Sequence, residues 1–454
     1  MDPETAQGFA FPPEPGSGWI MGTALGGLLF ALLIFAAPLP AVELNPELRL
    51  PPLDPPEADI TRRPEEARNI TPRNRPRPEL DPLGARIRSF MLLTSLDLRL
   101  GYNDNLFATQ KQTQADFYTV LTPRVELRSD WSRHALRIGA DAAQGRYQDF
   151  TGENYDDWRV FTDGRLDFGR ASTVFGQASV ARRHEDRASP DSVGTEPSAY
   201  RVTDTGGGWS HPFGRFDLRL TANVTDFKFD AVSTAGLPPG TLTGNDRNRE
   251  ARRGEARLRY SIGPRYGVYV RTAYTTQNYD SLAPDGTDRD STGYEAGLGA
   301  DMEITDLIFG NAFVGYYKQR YSAADLADAA GLGFGSDVYW NVTRLTTLHL
   351  DANRSVQEST QPGVSGYVAT QVGIEMEHEL RRNVLLFLGT RVTRRVYQGQ
   401  NREEDLYQQR FGANYMLNRH LYLRLQVVHR SQQATGGGRD FTQTFVEQSI
   451  VLQH

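Results

Sequence analysis

The chain has 454 residues, enough for two or three ordinary domains or one large one. Its 50 basic and 56 acidic residues give a formal net charge of −6, a balance that excludes a nucleic-acid binder, which needs a basic patch or stripe. The absence of cysteine excludes disulfides and thiolate metal sites, and a mean hydropathy of −0.52 excludes a bundle of membrane helices.

The first element is an apolar stretch from Trp19 to Glu43. Its uninterrupted core, Ala24 to Ala37, is shorter than the roughly 20 residues that a spanning helix needs. It suits the h-region of a signal peptide, and Ala36, Ala37, Pro38, Pro40 and Ala41 resemble a cleavage region. Residues 1–41 are therefore expected to be a signal peptide, although no Lys or Arg precedes the core. A retained anchor is the alternative. Either one carries the rest of the chain out of the cytoplasm.

Residues 42–90 form a proline-rich segment in which Pro46, Pro51, Pro55, Pro64, Pro72, Pro76 and Pro82 are interleaved with Arg, Glu and Asp. Such a sequence buries no core and lacks a ladder of amide donors. It reads as a mostly disordered periplasmic linker, with a docking arm or a plug as the functional alternatives.

From residue 91 to 454 the sequence alternates. Leu96, Leu98 and Leu100 stand on one face and Asp97 and Arg99 on the other. Phe216, Leu218, Leu220, Ala222 and Val224 oppose Asp217, Arg219, Thr221 and Asn223. Leu421, Leu423 and Leu425 oppose Tyr422, Arg424 and Gln426, and Ala256, Leu258 and Tyr260 oppose Glu255, Arg257 and Arg259. Period two marks strands with one apolar and one polar face. The boundaries also alternate in kind. Short turns at Ser129–His134, Gly169–Ala171, Pro212–Arg215, Gly263–Arg265, Asp306–Gly310, Thr343–Arg344, Arg381–Asn383 and Asn418–Arg419 exchange with longer polar segments such as Asp186–Ala199, Ala231–Arg249, Asp280–Ser291 and Ala434–Asp440.

The expected fold is all-β: a transmembrane antiparallel up-and-down β-barrel of about 18 strands spanning 91–454, behind a disordered proline-rich N-terminal segment. A soluble sandwich or propeller is the rival, but no blade repeat is visible. Phe168, Phe213, Tyr266, Phe309, Tyr339 and Trp340 lie near strand ends, where interface girdles would sit.

With apolar faces in lipid, the opposite faces line the interior. The candidate pore-lining residues are Arg99, Arg124, Glu126, Arg137, Asp141, Arg159, Asp163, Arg219, Arg257, Arg259, Arg271, Glu295, Asp301, His349, Asp351, Glu375, Arg391, Arg395, Arg410 and Arg424. They read either as a solvated wall whose charges pair with one another or as the lining of a channel for a hydrophilic polymer or solute, selected by charge.

No catalytic residues, metal site or cofactor are expected. G-x-S-x-G, H-E-x-x-H and a phosphate-binding loop are all missing. His184-Glu185-Asp186 ends a strand beside a long loop, but no nucleophile accompanies it. Asp288 to Gly293 begins like a calcium loop, yet Gly299 stands where the closing Glu would be. The eight histidines make no ligand spacing.

Tyr102, Asn103, Asp104, Asn105, Leu106 and Phe107 follow the first strand. This motif resembles the opening of an outer-membrane β-barrel porin family associated with exopolysaccharide secretion. The motif itself reads as a bend or bulge whose Asn and Asp bond their own backbone. The resemblance implies a Gram-negative outer-membrane channel that exports exopolysaccharide, with the N-terminal segment in the periplasm. Implied partners are outer-membrane lipid and lipopolysaccharide, the polysaccharide itself, and a periplasmic polysaccharide-export protein reached through the proline-rich arm. Gating by that arm or by a long loop goes with this reading. A general diffusion porin for small hydrophilic solutes and a non-conducting structural or adhesive surface barrel are the alternatives.

Overall fold

The computed structural model describes residues 70–169, 171–192, 194–233, 242–305 and 307–454. The expected signal peptide and residues 42–69 of the expected linker lie outside the described residues.

Among the described residues, eighteen long strands form one antiparallel sheet. They are β1 (Phe90–Asn103), β2 (Asp116–Ser129), β3 (Ala135–Tyr147), β4 (Tyr155–Phe168), β5 (Ser172–His184), β6 (Ala199–Phe213), β7 (Phe216–Phe229), β8 (Arg249–Gly263) and β9 (Tyr266–Tyr279). The second half comprises β10 (Ser291–Thr305), β11 (Ile308–Tyr321), β12 (Ala329–Thr343), β13 (Thr346–Glu358), β14 (Gly366–Arg381), β15 (Val384–Tyr397), β16 (Glu403–Asn418), β17 (Leu421–Thr435) and β18 (Phe441–Gln453). Each pairs with the next, and β18 returns to β1 from Ser95↔Gln453 to Asn103↔Phe445. The sheet is a closed barrel.

Closure is complete on β1. Where β18 ends, the His454 amide donates to the Thr94 carbonyl at 2.9 Å, and the Thr94 amide returns the bond at 3.2 Å. Beyond that point a three-residue strand, Ala85–Ile87, folds back and pairs with Phe90 to Leu92.

The eight expected short turns all fall at one end, called here the turn end, together with the C-terminus and the start of β1. The loop end carries the longer connections, including 104–115, 185–198, 230–248 and 280–290. Leu96, Leu98 and Leu100 point outward and are exposed, as are Leu220, Leu258, Leu298 and Leu425. The girdle reading needs one correction. Phe168, Phe213, Tyr266 and Trp340 are exposed on the outer face, but Phe309 is buried and stacks on Tyr339 inside the barrel at 5.3 Å. Both residues share the inward alternation of Phe313 and Asp337 in their own strands. Nearness to a strand end does not decide which face a ring takes.

Abundant glycine and abundant aromatics serve one packing rule. Inward rings lie flat across glycines of the neighbouring strand: Phe161 over Gly139, Tyr269 over Gly299, Phe175 over Gly208, Phe313 over Gly297 and Phe387 over Gly412. A Cβ at any of these glycines would enter the space of the ring. The wall therefore gains aromatic packing without filling the lumen.

The Asn-Asp-Asn motif sits at the closing seam. Asn105 is buried; its Oδ1 accepts the Thr109 amide at 3.0 Å, and its Nδ2 donates to the carbonyls of Thr109 and Thr442, both at 2.7 Å. Asn103 Oδ1 accepts the Asn105 amide at 3.0 Å. Asp104 Oδ1 accepts the Thr444 amide at 2.6 Å, and Gln443 donates to the Asn105 carbonyl at 2.8 Å. The motif bonds its own backbone and also ties β1 to β18.

Asn105→Ala removes those bonds and leaves buried groups unpaired, at a cost of about 3 kcal/mol. The denaturant midpoint of the refolded barrel should fall accordingly, and a midpoint equal to that of the parent would refute the clasp. Gly412→Ala, which meets both the Phe387 ring and the Leu425 carbonyl, should cost about 1–3 kcal/mol, whereas Gly254→Ala meets nothing within 4 Å and should be neutral in the same titration.

Candidate pore and its two closures

Five of the ring-on-glycine contacts carry a third layer. Arg159 lies 4.5 Å from the centre of the Phe161 ring, Arg257 3.7 Å from Tyr269, Arg219 4.2 Å from Phe175, Arg271 4.4 Å from Phe313 and Arg410 5.5 Å from Phe387. A planar guanidinium can lie flat on a ring and still present its edge to a carboxylate; an ammonium cannot do both. This is the physical reason why arginine dominates over lysine on the inward faces.

The guanidiniums are held by carboxylates across the strands. Arg159 pairs with Asp141 at 2.8 Å. Arg257 and Arg259 share Asp301 at 2.6 and 2.7 Å. Arg99 reaches Glu447 at 3.5 Å, Arg391 reaches Asp351 at 3.1 Å, and Arg410 pairs with Glu375. His349 joins Asp337 at 2.8 Å.

All twenty candidate residues belong to these inward faces. All but Arg137, Asp163, Arg271, Glu295 and Arg395 line a cavity of 2090 Å³ inside the barrel. The five exceptions are packed into the wall. Arg137 pairs with Asp163 at 2.7 Å against Phe161. Arg271, fully buried, reaches Glu255 and Glu295 at 3.2 Å each. Arg395, also fully buried, pairs with Glu404 at 3.0 Å beneath the loops.

Loop 185–198, which joins β5 to β6, enters the loop end and crosses it. Glu185 holds Arg247 through two bonds of 2.7 and 3.0 Å. Asp186 pairs with Arg430 of β17 at 3.0 Å. Ala188 packs with Leu406, Phe441 and Ala108 in a small buried core. Ser359, in the loop after β13, donates to Asp191 at 2.9 Å. Arg247 is a near neighbour, but Arg430 and Ser359 lie well round the ring of strands, so the loop reaches across the mouth. Burial opposes the charge on Asp186, but Arg430 and the Ala188 amide outweigh it and hold the carboxyl below its usual range. Burial pushes the Asp191 carboxyl up, although Arg247 pulls against it.

His184-Glu185-Asp186 anchors the loop. His184 stacks on Tyr155 at 3.8 Å and meets Asp157 at 3.0 Å, while the two carboxylates hold the loop. In the loop 280–290, Asp288 accepts the Asp290 amide at 3.0 Å and Asp290 accepts the Tyr279 amide at 2.6 Å, so these side chains cap their own turn.

At the turn end the N-terminal arm lines the cavity. Residues 70–83 form turns seated against β14, and Thr71, Arg73, Asn74, Leu80 and Asp81 line the cavity. Arg75 and Arg77 both reach Glu379 at 2.9 Å. Burial lowers the Arg77 guanidinium despite that partner. Arg73, Arg75, Arg77, Glu379 and Glu447 were not among the residues picked from the sequence. The alternation of arginine in RNRPR and of glutamate in EMEHE was the available signal.

A protein-family model described as "Putative beta-barrel porin 2" matches residues 77–454. No curated protein matches the chain. Among solved structures, the chain is similar to OpdK of Pseudomonas aeruginosa, solved with vanillate, at 12% identity and a TM-score of 0.43 over 80% of this chain and 99% of that one. It is also similar to OccK3 (OpdO) of Pseudomonas aeruginosa, at 11% identity and a TM-score of 0.43 over 80% and 96%. The siderophore receptor PirA from Acinetobacter baumannii aligns at 6% identity and a TM-score of 0.44 over 80% of each chain.

Arg247→Leu leaves Glu185 buried without its counter-charge, a loss of about 3 kcal/mol. Loop 185–198 should then be cut by protease in detergent far faster than in the parent, with the barrel itself intact. Equal cutting rates would show that the pair does not hold the loop.

Proposed function

The chain belongs to the beta-barrel porin family whose model spans residues 77–454, and on that premise we propose that it conducts exopolysaccharide outward across the outer membrane. The observation that carries this reading is the cavity itself: a large hydrophilic space inside a closed barrel, lined by paired arginines and carboxylates, with tyrosines such as Tyr118, Tyr147 and Tyr155 among them. A polymer rich in hydroxyl groups can exchange its water for such a lining, and the charged pairs set what passes. Short turns face the periplasm in outer-membrane barrels, which supports a periplasmic turn end and N-terminal arm. The polysaccharide enters there from periplasmic export partners, one of which docks on the proline-rich segment. Outer-membrane lipid and lipopolysaccharide surround the exposed leucine face. The protein supplies passage and selection, and no catalytic step is part of this reading.

A general diffusion porin would use the same wall. The two readings separate on the cell and in a bilayer. Deleting the gene should abolish extracellular polymer and leave it trapped in the periplasm; unchanged extracellular polymer would refute export. In a planar bilayer, a wide, steady pore permeable to small sugars would favour diffusion instead.

A further inference from the structure

The arm carries arginine at alternate positions, Arg73, Arg75 and Arg77, and β14 carries glutamate at alternate positions, Glu375, Glu377 and Glu379. On β14, which is extended, alternate side chains repeat at about 7 Å, while a turn in the arm, in which the Arg75 amide donates to the Thr71 carbonyl at 3.0 Å, brings its arginines to that row. The two rows meet. Arg73 reaches Glu375 and also Glu377, the latter at 2.5 Å, while Arg75 and Arg77 converge on Glu379.

The arm also hydrogen-bonds the wall. Arg75 donates to the Arg344 carbonyl, and Arg77 donates to the Arg382 carbonyl at 3.2 Å. Arg382 returns bonds to Glu79 at 2.8 Å and to the Pro76 carbonyl at 3.0 Å. Leu80 is buried, but no apolar cluster joins the arm to the wall among the described residues. Pro72 lies beside Leu385, Leu386 and Phe387, but the specific bonds that seat this segment are ionic and polar. Arg73 and Arg75 are partly exposed, so their pairs are screened by salt and can be exchanged for another cationic segment, whereas the buried Arg77–Glu379 pair is screened far less. If the arm leaves, Glu375 keeps Arg410 and Glu379 keeps Arg382 at 4.0 Å, while Glu377 loses its arginine.

We propose that Glu375, Glu377 and Glu379 form a docking ladder for an alternating-arginine segment, filled in cis by Arg73, Arg75 and Arg77, and that this contact regulates the channel. The seated arm narrows the turn-end mouth and neutralises its wall. The released arm widens the mouth and leaves an acidic wall that draws cations. This inference rests on the channel reading given above.

The test uses the full-length chain in planar bilayers, with folding checked by gel mobility. The first variant is Arg73→Gln/Arg75→Gln/Arg77→Gln, and the second is Glu375→Gln/Glu377→Gln/Glu379→Gln. The arginine variant should conduct several-fold more than the parent and shift its reversal potential toward cations. The glutamate variant should gain conductance without that shift. A third chain, Arg75→Cys/Glu379→Cys, uses the cysteine-free background; a bis-methanethiosulfonate cross-linker, which forms a disulfide with each cysteine and releases sulfinate, should keep its conductance low until reductant is added. Equal conductance and selectivity in the parent and the arginine variant would overturn the inference and leave the channel reading standing. Silence from every folded chain, including the reduced third one, would overturn the channel reading and the inference together.

Discussion

Everything in this molecule follows from one constraint: no backbone hydrogen-bonding group may be left unpaired in lipid. Hydrocarbon offers no partner for an amide or a carbonyl, so a spanning sheet must have no edge. The chain meets this by returning β18 to β1, by locking Thr94 to His454, and by covering the first residues of β1 with Ala85–Ile87. The Asn103-Asp104-Asn105 motif belongs to the same solution, because its side chains stitch the loop end of that seam. A short motif at the first strand is thus explained by the last strand.

Closure fixes the two faces, and the inner face has its own problem. Eighteen strands enclose a space that packed side chains do not fill, so polar groups must be satisfied within a thin wall. Layers of glycine, ring and guanidinium meet this requirement. The glycine lets the ring lie flat, the ring supports the arginine, and carboxylates one or two strands away hold arginines such as Arg159, Arg257, Arg271 and Arg410. Each layer depends on the one below, which links the glycine content of the sequence directly to the charge pattern of the lumen.

Much of this was legible in advance. Alternation of Leu with Arg or Asp along single strands gave the faces, and the contrast of short turns with long loops gave the two ends and a count near eighteen. These signals are local, and local signals survive in a sequence. The missed features are contacts between distant segments. Asp186 and Arg430 lie 244 residues apart, and Arg77 and Glu379 lie 302 apart. Asp186 and Arg430 have no periodicity to announce them, and although the arginines of RNRPR and the glutamates of EMEHE alternate visibly, nothing local says that the two rows meet. Phe309 and Tyr339 depart from the girdle expectation for a related reason: nearness to a strand end is visible in the sequence, but their parity with the inward Phe313 and Asp337 turns both rings into the barrel. Arg271 and Arg395 have the right parity, yet the packing of rings and loops above them decides that they stay buried rather than wet.

The central claim is that odd and even residues of one strand face different solvents. Because the chain lacks cysteine, single cysteines report this directly. Arg257→Cys and Arg259→Cys should react with a membrane-impermeant maleimide in intact outer membranes, and Leu258→Cys between them should not. Uniform labelling of all three, or labelling of Leu258→Cys alone, would contradict a water-filled lumen behind an apolar wall.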